Sequence, residues 1–265
     1  MVYVAVGTNF ADALAAGAAS GGDGPVLLSQ SSSIDATTLA ELRRLAPKRI
    51  VVLGGTAAIG SSVFEEVRAI APTTRVGGAD RYATAAQLSA ANFAAGVPVV
   101  YVATGTGFAD ALSAGGAAQG LGPILLVQPN AIPSSTATEL QRLTPQRIVV
   151  LGGTSAVSAS VQSELALYTA GSVSRLGGAD RYATSAAISA STFATGVARA
   201  FLATGTGYAD ALAAAALGAP VLLTRPDCVP QVVLNEITRL DAGELVVIGG
   251  TSAVSDAVRR LTACS

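Results

Sequence analysis

The chain has 265 residues, 51% of them hydrophobic and 12% charged, with fifteen arginines and the single Lys48 set against seventeen acids for a net charge of −1. This composition allows a substantial core and excludes the global basic field expected of a nucleic-acid binder. Apolar runs are broken by Gly, Asp or Pro before the roughly 18 residues that a bilayer span needs, so no membrane helix is expected.

The opening residues, MVYVAVGTNF, read directly as a strand and a turn, with no basic n-region and no cleavage site, so no export signal is expected in the chain as given. The stretch VYVAVGTNFADAL (Val2 to Leu14) returns as VYVATGTGFADAL (Val100 to Leu112) and AFLATGTGYADAL (Ala200 to Leu212). GPVLLSQ, GPILLVQ and APVLLTR follow at Gly24, Gly122 and Ala219. LRRLAPKRIVVLGGTAAI, LQRLTPQRIVVLGGTSAV and ITRLDAGELVVIGGTSAV begin at Leu42, Leu140 and Ile237. The spacing of 97 to 100 residues suits three tandem small domains, placed at 1–71, 72–171 and 172–265.

The second copy gives the order of elements. A helical pattern from Arg81 to Phe93 puts Tyr82, Ala86, Ser89 and Phe93 on one face, with Asp80 as N-cap. A short strand at Val99 to Ala103 leads through the turn GTGFAD into a small-residue helix ending near Ala118. Ile124 to Val127 reads as a buried parallel strand, and the next helix carries Ala137, Leu140 and Leu143. A third strand, Arg147 to Leu151, ends in GGT, and a last helix near Ser158 uses Val161 and Leu165. Strands alternating with helices through short Gly-rich turns imply right-handed crossovers, hence an α/β fold of three small three-layer Rossmann-like units with mostly parallel sheets. The loops at the carboxyl ends of the strands, GTGFAD and GGT, are where such sheets place ligands.

GGADRYATA at Gly77 recurs as GGADRYATS at Gly177, but Met1 stands immediately before the first copy's strand. The first unit is therefore expected to lack its covering helix, with truncation as the favoured explanation.

Three motifs could carry chemistry. Gly105 and Gly107 mimic a dinucleotide fingerprint, but Asp110 replaces its third glycine and the next strand ends in Val127-Gln128 where a ribose-binding acid is needed, so no cofactor is expected. The bland reading makes Asp110, like Asp12 and Asp210, a helix cap or an arginine partner. The GGT turns, Gly152-Gly153-Thr154 with counterparts at Gly54 and Gly249-Gly250-Thr251, present backbone N–H groups that can hold an anion or simply turn the chain. Asp80-Arg81-Tyr82 and Asp180-Arg181-Tyr182 can be cap, ion pair with Asp110 and core; alternatively, part of the guanidinium fork stays available for a phosphate or carboxylate. Histidine is absent and two cysteines lack zinc-ligand spacing, so neither a Ser-His relay nor a metal site is expected. Cys228 and Cys264 both fall in the last third, at positions that in the second copy hold Ala131 and Leu167, which invites a disulfide and an oxidising compartment. Two small buried thiols are the other reading.

The ordered set RVGGADRYATA, VATGTGFADAL, GPILLVQ and RIVVLGGTSAV resembles the cell wall binding repeat 2 family of bacterial surface proteins, over essentially the whole chain. The resemblance implies a pseudo-threefold trimer of Rossmann-like units on the cell surface. It also implies noncatalytic anchoring of a secreted protein to an anionic wall polysaccharide or teichoic-acid-like polymer. The family's Ile-Leu-Leu attachment motif matches Val26-Leu27-Leu28, Ile124-Leu125-Leu126 and Val221-Leu222-Leu223, residues that belong in a buried strand and support a site indirectly. The contacts then expected are Arg81 and Arg181 with the GTG and GGT backbone, including Thr104, Gly105, Gly107, Thr204, Gly205 and Gly207. The first copy has no arginine matching Arg81, which would leave two intact sites. The rival readings are a wall-sugar hydrolase using Asp80 and Asp110, and a structural self-association module; oligomeric state is not readable.

Overall fold

The computed structural model describes residues 1–9, 11–20, 24–118 and 120–264; Phe10 of the first GTNFAD turn lies outside them. The first unit runs β1 (Val2–Val6), α1 (Ala11–Ser20), β2 (Val26–Ser29), α2 (Ala36–Leu45), β3 (Ile50–Leu53) and α3 (Ser61–Arg68). Next come β4 (Thr73–Val76), α4 (Arg81–Asn92), β5 (Val100–Thr104), α5 (Ala109–Ala118), β6 (Ile124–Val127), α6 (Ser134–Leu143), β7 (Ile148–Leu151) and α7 (Ala159–Leu165). The last unit contains β8 (Val173–Leu176), α8 (Arg181–Thr192), β9 (Arg199–Thr204), α9 (Ala209–Ala215), β10 (Val221–Thr224), α10 (Gln231–Leu240), β11 (Glu244–Ile248) and α11 (Asp256–Arg259).

The strand orders are β2-β1-β3-β4, β6-β5-β7-β8 and β10-β9-β11, and every ladder between these strands is parallel. The short alternating strands β4 and β8 are absent from the sequence reading. β4 follows residue 71 in the chain yet pairs with β3, with Arg75 opposite Val52, and β8 pairs with β7, with Arg175 opposite Val150. One unit's sheet is thus finished by the strand that leads into the next unit's helix.

Each sheet faces two ways. Tyr3, Tyr101 and Phe201 point into a core shared by the three units, together with Leu14, Leu112 and Leu212 of the small-residue helices. The alternate residues Val2, Val4, Val6 and Val100, Val102 enter separate outer cores under α2, α3 and α6, α7. Ile124, Leu125 and Leu126 are wholly buried, as are Leu222 and Leu223, so each such side chain contributes about 2 kcal/mol through removal from water.

The units meet around a pseudo-threefold axis lined by α1, α5 and α9. Their alanine and glycine content follows from this packing. A Cβ built on Gly115 would lie 2.7 Å from the Ala215 Cβ, too close for a larger residue, and Gly17 sits 3.3 Å from both Ala215 and Gly115 on the same measure. Where the ring closes, the Tyr208 hydroxyl donates to the Gly7 carbonyl at 2.7 Å.

Cys228 and Cys264 form a disulfide with Cα atoms 4.9 Å apart. It fastens the C-terminal segment to the loop before α10, where Val229 N–H donates to Thr262 O at 2.8 Å and Cys264 N–H to Val229 O at 3.0 Å.

Candidate functional site

The GGADRYAT block folds as the sequence suggests at its start. Asp80 holds an extended backbone and its Oδ1 accepts from Ala83 N–H at 2.8 Å, and Asp180 does the same for Ala183, caps worth about 1 kcal/mol each. Gly78 N–H donates to Thr84 Oγ1 at 3.1 Å, which bends the loop back over the first helical turn; Gly178 and Thr184 repeat it. The helix buries more than the single expected face: Thr84, Ala85, Leu88 and Ser89 are all buried. Ser89 hydrogen-bonds Glu139 Oε1 on α6, while Ala85 and Leu88 join the shared core.

This double packing redirects the arginine. Arg81 does not face Asp110. Its Nη1 donates to the Gly105 carbonyl at 2.5 Å, the Tyr82 ring lies against Gly105, and the carboxylate in its field is Asp12 of the preceding unit. Asp110 instead faces Arg181, whose Nη1 donates to Gly205 O at 2.5 Å. The cause is the position of α4 and α8 at the seams, where each helix covers its own unit's sheet and touches the small-residue helix of the unit before it.

Two composite hollows of about 470 and 480 Å³ result. The first is lined by Thr8, Asn9 and Asp12 from the first unit and by Asp80, Arg81 and Thr84 from the block that follows. The second gathers Thr104, Gly107, Asp110 and Gly153 with Asp180, Arg181 and Thr184. The acids that share a hollow are therefore Asp12 with Asp80 and Asp110 with Asp180, whereas Asp80 and Asp110, the pair the hydrolase reading needs, stand in different hollows.

The floor explains the glycines of GGT. Gly152 has φ +88°, and a Cβ there would collide with Asp110 Oδ2; at Gly54, φ +92°, a Cβ would come within 2.5 Å of Asp12 Oδ2, and at Gly249, φ +115°, within 2.8 Å of Asp210 Oδ2. Burial raises the carboxyl pKa of Asp12 and Asp110, while side-chain hydrogen bonds from Thr84 and Thr184 and the nearby Arg81 and Arg181 pull in the opposite direction. The Arg181 guanidinium also lies 5.5 Å from the Phe108 ring centroid.

Arg75 and Arg175 escaped the sequence reading, although both precede GG in the repeated block. Arg75 Nη1 donates to the Gly54 and Gly55 carbonyls at 2.9 and 3.1 Å, and Arg175 Nη1 to Gly152 and Gly153 at 2.8 and 3.1 Å. They fix the GGT turns from behind, and burial lowers their pKa. Thr84 and Thr184 were also missed, and their recurrence in GGADRYAT was the available signal. Thr154 is exposed and lines neither hollow; Thr204, Gly205, Gly207, Gly249, Gly250 and Thr251 of the third unit also lie outside these two. The first unit is therefore not the one short of an arginine: Arg81 serves Asp12, and Asp210 is the aspartate with no later copy of the block to face it. Among the described residues no helix is long and apolar enough to cross a membrane.

A model of the family described as Cell wall binding domain 2 matches residues 2–64, 75–162 and 175–259. N-acetylmuramoyl-L-alanine amidase LytC of Bacillus subtilis is 32% identical over 189 residues, which cover 69% of this chain and 37% of that protein. Amidase enhancer of the same organism is 32% identical over 194 residues, covering 71% of this chain and 26% of the relative. The chain thus spans well under half the length of these relatives. Among solved structures, Cwp6 and Cwp8 from Clostridium difficile match at TM-scores of 0.87 and 0.85 with 23% and 25% identity. Each match covers 98% of this chain, and 43% and 46% of those chains respectively, and shows the shared fold of three repeats.

Proposed function

We propose, from the premise that this chain belongs to the Cell wall binding domain 2 family, that it is a noncatalytic module holding a surface protein on an anionic cell-wall polysaccharide. The observation that carries the reading is the repetition of one composite hollow at two seams, each combining a guanidinium, a half-buried carboxyl, a threonine and a Gly-rich loop. A guanidinium fork supplies donors for a phosphate or carboxylate, and the carboxyl and threonine groups suit the hydroxyls of a sugar. Two modest sites on one rigid body reach two points of one repetitive polymer, so avidity replaces a large net charge. The Val-Leu-Leu and Ile-Leu-Leu strands support these hollows from within the sheets without touching sugar. Asp80 and Asp180 are spent on helix caps, which argues against a hydrolytic acid pair.

The test is cosedimentation with purified cell walls before and after chemical removal of the anionic polymer. Retention on intact walls and release from stripped ones is expected; equal retention on both refutes the proposal. Arg181→Ala should weaken binding about tenfold by removing charge-assisted hydrogen bonds, with Arg181→Lys restoring little of it. Soluble sugar released from the walls by the unaltered protein would instead establish hydrolysis.

A further inference from the structure

The three seams of the ring are not equally filled. At the first, β4 and α4 lie across the junction, and at the second, β8 and α8 do. At the third, between the last unit and the first, no such strand and helix are found among the described residues. Among the described residues β11 pairs only with β9, and its Leu245 to Ile248 are partly exposed, whereas β3 and β7 are wholly buried. Beside it, a hollow of about 570 Å³ is lined by Phe193, Phe201 and Leu217, with Leu217 54% exposed. At the other seams the residues matching Phe201 meet the ends of α4 and α8: the Tyr3 hydroxyl reaches Asn92 Oδ1 at 3.4 Å, and Tyr101 shares a hollow with Ser191 and Thr192.

The matching positions of the first unit are also less covered than their counterparts. Leu27 and Leu28 of β2 are half-buried where Leu125, Leu126, Leu222 and Leu223 are wholly covered. The Glu41 side chain is 37% exposed, against 5% for Glu139 and Glu236, which lie beneath α4 and α8. Arg259 reaches the Gly249 carbonyl at 3.4 Å, a long contact at the place where Arg75 and Arg175 hold the equivalent carbonyls at 2.9 and 2.8 Å.

We propose that this third seam is a docking groove for a strand-helix polypeptide segment of the Thr73–Phe93 type, with the pattern Arg-(Val/Leu)-Gly-Gly-Ala-Asp-Arg-Tyr-Ala-Thr. Its strand adds in parallel to β11, with its first arginine opposite Val247, the register in which Arg75 meets Val52 and Arg175 meets Val150. Its arginine fork takes over the Gly249 and Gly250 carbonyls. Its helix then covers Leu27, Leu28 and Glu41, its C-terminal end fills the hollow at Phe201, and its second arginine and threonine reach Asp210. The ring gains a third composite hollow. The occupant is identified by the chain's own two filled seams, so the inference stands whether or not the polymer proposal does.

The experiment places a copy of residues 73–99 directly before Val2 and compares amide hydrogen exchange in this extended chain and the original. Exchange at Leu245 and Val247, whose N–H groups face away from β9, and at Leu28, whose N–H faces away from β1, should slow by at least about tenfold, because those amides become closed within the added structure. A control extension with the same 27 residues scrambled should leave exchange unchanged. Should the extension prevent folding, a synthetic peptide of residues 72–94 added in trans to the original chain serves as the probe, and Asp210→Ala should weaken its binding. Unchanged exchange at both sets of amides in the folded extended chain, or no protection by saturating peptide, overturns the proposal.

Discussion

Gly152→Ala tests the construction of the hollow directly, because two separable costs meet at one methyl group. The backbone at this position has φ +88°, and a non-glycine residue there costs about 1 kcal/mol. The new Cβ also occupies space held by Asp110 Oδ2, so the carboxyl must leave Thr184 and Arg181, a further loss of about 2 kcal/mol for half-buried, charge-assisted contacts. Urea unfolding should therefore show a destabilisation of about 3 kcal/mol. In an Asp110→Ala background the clash with the carboxyl disappears, leaving the φ cost and a close contact with Ala156 Cβ at 3.3 Å, so the same substitution should cost about 1 kcal/mol, which gives a coupling of about 2 kcal/mol. Gly153→Ala is the control. A Cβ there meets only Ser155 Oγ at 4.0 Å, so its effect should stay within about 0.5 kcal/mol. If Gly152→Ala costs the same with and without the Asp110 carboxyl, the carboxyl does not rest on this glycine and the account of the GGT floor is wrong.

Replacing Cys228 and Cys264 together by serine opens a loop whose ends are 36 residues apart, which should cost about 4 kcal/mol of unfolding free energy; an unchanged urea midpoint would contradict a bonded pair. Thiol titration of the denatured, unreduced protein should detect no free cysteine. Burial lifts the Asp12 and Asp110 pKa values above the ordinary 3.8, so the folded state keeps these protons to higher pH than the unfolded chain does. Their contribution favours folding below pH 3.8 and is lost as pH rises through the folded values. Asp12→Asn/Asp110→Asn should flatten that part of the stability profile, and an unaltered slope in urea melts would count against partial burial as the cause of the raised pKa values. Thr144 ends α6 with φ 42°, a left-handed conformation better suited to glycine, so Thr144→Gly should raise stability by about 0.5–1 kcal/mol; a loss would show that the threonine side chain matters more than the backbone.

Much of this architecture is written locally. The alternation in VYVAT and the apolar run ILLV specify buried strands, Asp80 three residues before Ala83 specifies a cap, and the self-similarity of the chain specifies three like units. The pairing of Cys228 with Cys264 was accessible because both were added to one copy of a repeat that otherwise lacks them. Thr73 to Val76 and Val173 to Leu176 were harder to read, since four residues with partly exposed side chains carry little hydrophobic pattern, and their identity as strands comes from the neighbour they pair with. The two rear arginines share that difficulty: a lone Arg before GG acquires meaning only when β4 sets it opposite Val52 beside the GGT carbonyls.

The partner of Arg81 marks the boundary between the two kinds of information. Sequence alone determined that an Arg-Tyr pair opens a capped helix, that each GTGFAD turn supplies an aspartate and that GGT supplies a turn, because these depend on residues within a few positions of one another. Only the tertiary structure decided that Arg81 serves Asp12 and Arg181 serves Asp110. The physical reason is that α4 and α8 bury two faces at once, one on their own sheet and one on the small-residue helix of the preceding unit. The geometry of the ring, in which alanine and glycine let α1, α5 and α9 approach one axis, therefore assigns each arginine to the aspartate of the unit before it.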